Sequence, residues 1–139
     1  HSGLSARLLE RDLEIETLNA RMSEGLYRTS KERREDPTLE FLYRSAGPVW
    51  YRGMVCADEK YDPLTPEQTG ALLRRYDADR LLVGHTIFPD ISTFHDGRVI
   101  AVNVQNDLNR RKNRGRAVLI EGSRILVVGN RGVKRVLEE

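Results

Sequence analysis

An α/β fold is predicted from three features of the sequence. The N-terminal stretch is charged and poor in strand formers but carries helical spacing. A well-capped helix then runs directly into an apolar strand. Beyond it lie short apolar runs separated by turn residues. Residues 5–44 hold 17 charged side chains, eight basic and nine acidic. Within them Ile15, Leu18, Met22 and Leu26 form one stripe of a helix of about four turns, predicted over residues 15–28. Glu10, Glu14 and Glu24 with Arg7, Arg11, Arg21 and Arg28 make its solvated surface. Residues 28–36 (RTSKERRED) read as a polar connector or a frayed helix end. Pro37 suits the first turn of a short helix over residues 38–44 that buries Leu39, Leu42 and Tyr43.

Gly47-Pro48 and Asp62-Pro63 then break the chain. Thr65-Pro66-Glu67-Gln68 is a helix start: Thr65 caps free N–H groups, Pro66 suits the first helical position and Gln68 completes a capping box. The helix, predicted over residues 65–76, sets Thr69, Leu72, Leu73 and Tyr76 on one face. Residues 80–83 follow as a buried strand, and residues 91–94, 98–104, 116–121 and 124–128 as four more. Asp96-Gly97 and Glu121-Gly122-Ser123 have the composition of tight hairpin turns. One helix–strand unit thus feeds a largely antiparallel meander.

Composition narrows the function. The chain has 139 residues, the size of one domain, with 39% apolar residues for a core. Its 23 Lys+Arg and 21 Asp+Glu leave a formal charge of +2, which argues against a strongly basic nucleic-acid domain and an acidic tail. A single cysteine, Cys56, excludes an intramolecular disulfide framework and a Cys-based zinc site. No apolar run approaches the roughly 18 residues of a membrane-spanning helix. The opening residues, His1-Ser2-Gly3, give no compartment and suggest a processed or truncated piece.

Chemistry concentrates in three places. In Leu82-Val83-Gly84-His85-Thr86 an imidazole stands just beyond the carboxyl end of a strand, where open α/β sheets present ligands. It suits a divalent metal, or a plain hydrogen bond at a strand end. In His1-Ser2-Gly3-Leu4-Ser5 a second imidazole precedes a small turn, an arrangement a chance terminus also produces. In Gly47-Pro48-Val49-Trp50-Tyr51-Arg52-Gly53 an arginine between aromatics and a glycine can offer a donor fork to phosphate or carboxylate. It can equally be a surface arginine beside a core aromatic pair.

In order along the chain these motifs, with Asp96-Gly97-Arg98-Val99-Ile100-Ala101-Val102-Asn103-Val104, resemble the C-terminal half of calcineurin-like metallophosphoesterases. The nearest likeness is to the bacterial-type branch related to serine/threonine protein phosphatases. It is strong at residues 1–5 and 47–128 and loose through the charged stretch 10–44. The resemblance implies a four-layer αββα sandwich of which residues 1–139 are the C-terminal part, 10–44 a charged helical insert and 47–139 the sheet-forming part. It implies a phosphatase with two divalent ions (Mn, Fe or Zn) sharing a hydroxide that attacks phosphorus. His1 and His85 would be metal ligands, and Arg52 would bind the substrate phosphate and stabilise charge in the transition state. Residues 105–114 would border the substrate groove. The family's remaining metal motifs, D-x-H, G-D-x-x-D and G-N-H-[ED], do not occur in the chain. The implied partners are a phosphorylated protein or small phosphoester and a missing N-terminal half, without which the chain is expected to be inactive.

One alternative is a non-catalytic module that binds phosphate or nucleic acid through the basic loop 110–116. No aromatic is interleaved there to stack on bases. A small structural domain with incidental His and Arg residues is the other. The strands over residues 98–104, 116–121 and 124–128 are apolar at nearly every position, so they are expected to need cover on both faces.

Overall fold

The computed structural model describes residues 2–138. A 3₁₀ turn, Ala6–Leu8, leads into α1 (Ile15–Leu26), α2 (Ser30–Glu35) and α3 (Pro37–Tyr43). The polar stretch predicted as a connector is therefore helical, and its own side chains explain why. The Thr29 hydroxyl accepts from the Glu32 N–H, and the Glu32 carboxylate accepts from the Thr29 N–H at 2.7 Å, a complete capping box. Asp36 then caps α3 by accepting from the N–H groups of Thr38 (2.9 Å) and Leu39 (3.0 Å), with Pro37 at the first helical position. The stripe on α1 is only partly used, because Leu18 is buried whereas Ile15 and Leu26 are exposed. In α3 the buried set is Leu39, Phe41 and Leu42. Tyr43 instead lies half-buried over α1, its hydroxyl donating to the Met22 carbonyl.

The Thr65 capping box opens α4 (Pro66–Arg75) as predicted, with 3.2 Å and 2.9 Å for its two reciprocal bonds. The first sheet departs from the predicted meander, which the second one keeps. In the first, β1 (Leu81–Val83) runs parallel to β3 (Val99–Ala101), while β2 (Ser92–Phe94) pairs antiparallel on the other side of β3. Helix α5 (Asn106–Arg111) leads to the second sheet, β4 (Arg116–Glu121), β5 (Arg124–Gly129) and β6 (Lys134–Glu138), paired antiparallel in sequence order. The loop expected over residues 105–114 is thus partly helical, and β6 had no counterpart among the predicted strands.

Alternation along β3 joins the two halves. Val99 and Ala101 belong to a cluster with Leu8, Leu42, Met54 and Leu72, whereas Ile100 joins Ile91, Val104, Ile125 and Val127. β3 is therefore covered on both faces, which explains why it is apolar at every position. The same expectation fails for β4, whose Ile120 is exposed, and the strand expected to be buried over residues 80–83 leaves Leu82 of β1 exposed. In the second sheet only the central strand β5 is buried through Ile125, Leu126 and Val127. The α/β class stands, but these residues build two small three-stranded sheets with helices, and nothing in them supports half of a four-layer αββα sandwich.

Candidate functional site

Small residues let two distant segments lie side by side. The Ser2 N–H donates to the Pro48 carbonyl (3.2 Å) and its hydroxyl to Val49 (2.9 Å), while the buried Ser5 hydroxyl donates to Ala46 (2.7 Å). Gly3 sits against Met54, whose sulfur would lie 3.0 Å from an added Cβ. The motif beginning at His1 is thereby stitched to the motif carrying Arg52. His1 itself lies outside the described residues.

The Arg52 segment is a compact turn. The N–H groups of Trp50 and Tyr51 both donate to the Gly47 carbonyl, at 3.1 and 3.0 Å, and those of Val55 and Cys56 donate to the Arg52 carbonyl. Tyr51 is buried, and its hydroxyl donates to the Asp62 carbonyl at 2.6 Å, pinning the corner that presents Tyr61. Burial, with the Asp62 charge nearby, holds the Tyr51 phenol well above its ordinary pKa, so it remains a donor. The half-buried Arg52 guanidinium lies 5.7 Å from the Tyr61 ring centroid and donates to Nε2 of His85.

His85 follows β1 and Gly84 with φ of 66°, a left-handed conformation that few non-glycine residues adopt. Such strain persists where surrounding structure holds it, and here it aims the ring at Arg52 and edge-on to Trp50, centroids 6.4 Å apart. A guanidinium can only donate, so Nε2 of His85 is the acceptor of this contact. His95 serves the scaffold: its Nε2 donates to the Met54 carbonyl at 3.0 Å from the turn before β3.

Arg52 opens onto a cleft of about 670 Å³ that also contains Arg7, Arg44, Lys60, Trp50 and Tyr61, with Asp62 as its acidic member. Four cations against one carboxylate concentrate positive potential where an anion would enter. Sequence reasoning found Arg52 with the Trp50-Tyr51 pair beside it and missed Arg7, Arg44, Lys60 and Tyr61. Arg7 lies two residues beyond the Ser5 stitch and Lys60-Tyr61 lies at the corner before Asp62-Pro63, but no local motif links them. Helix α5 does not line this cleft. Its Arg110 and the following Arg116 border a separate one of about 400 Å³, and Arg116 pairs with Asp90 at 3.2 Å.

Among the described residues no group of three or more His, Cys, Asp or Glu side chains is placed to hold a metal ion. Nε2 of His85 faces the Arg52 guanidinium. The expectation of two divalent ions in the intact protein is therefore withdrawn.

No family model and no curated protein matches the chain. Solved structures do. A cold-active protein tyrosine phosphatase, determined at 1.1 Å, superimposes with a TM-score of 0.83 and 25% identity, covering 100% of this chain and 39% of that one. The cold-active protein-tyrosine phosphatase of the psychrophile Shewanella sp. gives the same TM-score and identity over 99% of this chain and 39% of its own. These likenesses replace the resemblance to calcineurin-like metallophosphoesterases of the bacterial type, together with the dinuclear chemistry drawn from it. Over essentially its whole length, the chain is similar to somewhat more than a third of a cold-active protein tyrosine phosphatase.

Proposed function

We propose that this chain supplies the phosphate-recognition wall of a phosphoester hydrolase acting on aryl phosphates of the phosphotyrosine kind. The observation that carries this reading is Arg52. A half-buried donor fork, held from behind by His85 and flanked by Trp50 and Tyr61, opens into a cationic cleft. The likeness to protein tyrosine phosphatases supports the choice of substrate. As the oxygen of water bonds to phosphorus and the aryl oxygen leaves with a proton from that water, charge spreads over the non-bridging oxygens, and a preorganised guanidinium stabilises it without reorganising. Trp50 and Tyr61 are placed to flank the aromatic ring that bears the phosphate. His85 is a positioning residue, since its acceptor nitrogen sets the direction of the Arg52 fork.

The test is hydrolysis of p-nitrophenyl phosphate and of a phosphotyrosine peptide by the full chain. Arg52→Ala is expected to lower turnover about a hundredfold to a thousandfold, the scale for one preorganised donor. His85→Ala should lower it about tenfold, and His85→Asn should restore most of the loss, because asparagine keeps an acceptor and tolerates the left-handed backbone. Undiminished turnover in Arg52→Ala would overturn the reading.

A further inference from the structure

The Arg52 cleft does not end at its own rim. A second, smaller cleft of about 160 Å³ adjoins it, bounded by Arg33, Arg34 and Glu40 and sharing Tyr43 and Arg44 with the first. Together they make a track from Arg52 past Arg44 to the outer face of α2. The cations along it are Arg7, Lys60, Arg44, Arg33 and Arg34, and the acids within it are Glu40 and Asp62. The pairing that exists is loose. Arg44 meets Glu40 at 3.2 Å across an exposed one-turn spacing, and Lys60 meets Asp58 at 2.8 Å with both side chains more than half exposed. Arg33 lies over the Tyr43 ring, 4.3 Å from its centroid, which holds the guanidinium while leaving its charge to the groove. Arg7 and Arg34 are exposed and have no acidic partner among the described residues.

We propose that this track recognises acidic residues flanking the phosphorylated side chain, so that the substrate is an acidic phosphopeptide. The inference rests on the phosphate reading of Arg52 and extends it outward. A free phosphate ester would use only the first cleft, and nothing about it would call for cations on α2. A peptide in extended form advances about 3.3 Å per residue, so one strand-like segment can fill both clefts in succession. Glutamate or aspartate side chains along it would compete with Glu40 for Arg44 and meet Arg34 and Arg7 directly. Exposed pairs of this kind add little each, but together they favour acidic over neutral sequences, and salt screens them.

The experiment is fluorescence anisotropy on the full chain with labelled peptides carrying a non-hydrolysable aryl phosphonate in place of phosphotyrosine. One peptide has glutamates flanking the phosphonate, and its twin has alanines. The acidic peptide is expected to bind about tenfold more tightly at low salt, with the advantage shrinking at high salt. Joint Arg34→Ala and Arg44→Ala substitution should erase the advantage, while joint Arg110→Ala and Arg111→Ala substitution on the remote helix α5, a charge-matched control, should keep it. Arg52→Ala should weaken both peptides alike, which separates the two readings. If the peptides bind equally while Arg52→Ala weakens both, the track is refuted and the phosphate site stands. If Arg52→Ala changes neither, the phosphate reading fails even where the acidic preference persists. Absence of binding by either peptide, or tighter binding of adenosine triphosphate than of the acidic peptide, also overturns the proposal.

Discussion

Gly47 is the tightest point of the turn that carries Arg52, and Gly47→Ala tests whether that turn sets the site. A Cβ built there would lie 2.1 Å from the Leu42 carbonyl oxygen and 2.4 Å from the Phe41 carbonyl oxygen. Real Cβ atoms essentially never come within 3.0 Å, so the end of α3 and the turn must separate by about 0.9 Å. The obstructing atoms are backbone, so no side chain can swing aside. Leu42 is fully buried, and the same turn bonds Gly47 to Arg44 at 2.8 Å and receives the N–H groups of Trp50 and Tyr51. Overpacking of this kind costs roughly 1–3 kcal/mol. For a chain of this length that is a fall of about 3–10 °C in the thermal midpoint. Calorimetry of the full chain reads the midpoint, and turnover of p-nitrophenyl phosphate reads Arg52. Both are expected to fall, because the displaced turn carries the guanidinium away from His85. Gly129→Ala is the control, since its nearest neighbours would stand at 3.6 Å. A Gly47→Ala protein with the wild-type midpoint and turnover would refute this account of the turn.

Tyr51→Phe removes the donor to the Asp62 carbonyl and should destabilise the chain by about 1–2 kcal/mol in urea unfolding, while loosening the corner that holds Tyr61. An unchanged urea midpoint would show that the corner is held otherwise. Asp36 gives the pH dependence: hydrogen bonding from Arg21, then the caps on Leu39 and Thr38, hold its carboxyl below the ordinary value of 3.8. The folded state therefore binds this proton less readily than the unfolded one. Its contribution is complete above about pH 4 and is lost as pH falls through the lower folded value. Asp36→Asn should thus reduce stability near neutral pH and shallow the acid limb of a stability profile, and an unaltered acid limb would count against the pairing.

Local signals in the sequence determined the local structure. Thr65-Pro66-Glu67-Gln68 specifies a helix start because every group needed to satisfy it lies within four residues, and the structure forms it as read. Thr29 and Glu32 carry the same signature, obscured by the charge around them, so α2 was legible and went unread. The apolar run at Val99–Ala101 predicted a strand, but pairing direction depends on which partner the rest of the chain delivers. Only the fold could set β1 parallel to β3 and bury β3 on both faces.

The site divides along the same line. Arg52 and His85 stood out as residues able to do chemistry, yet 33 positions separate them, and an imidazole serves equally as metal ligand, proton carrier or hydrogen-bond acceptor. Its role is decided by the atom facing it, which here is a guanidinium nitrogen. Short motifs such as Gly84-His85 therefore led to an expected metal centre for which the described residues assemble no ligand group. Arg7, Lys60 and Tyr61 join Arg52 because Ser2 and Ser5 tie the N-terminus to residues 46–49 and Tyr51 ties its turn to Asp62. Those are long-range hydrogen bonds between residues with no sequence periodicity in common, so the cationic cleft exists only once the chain has folded.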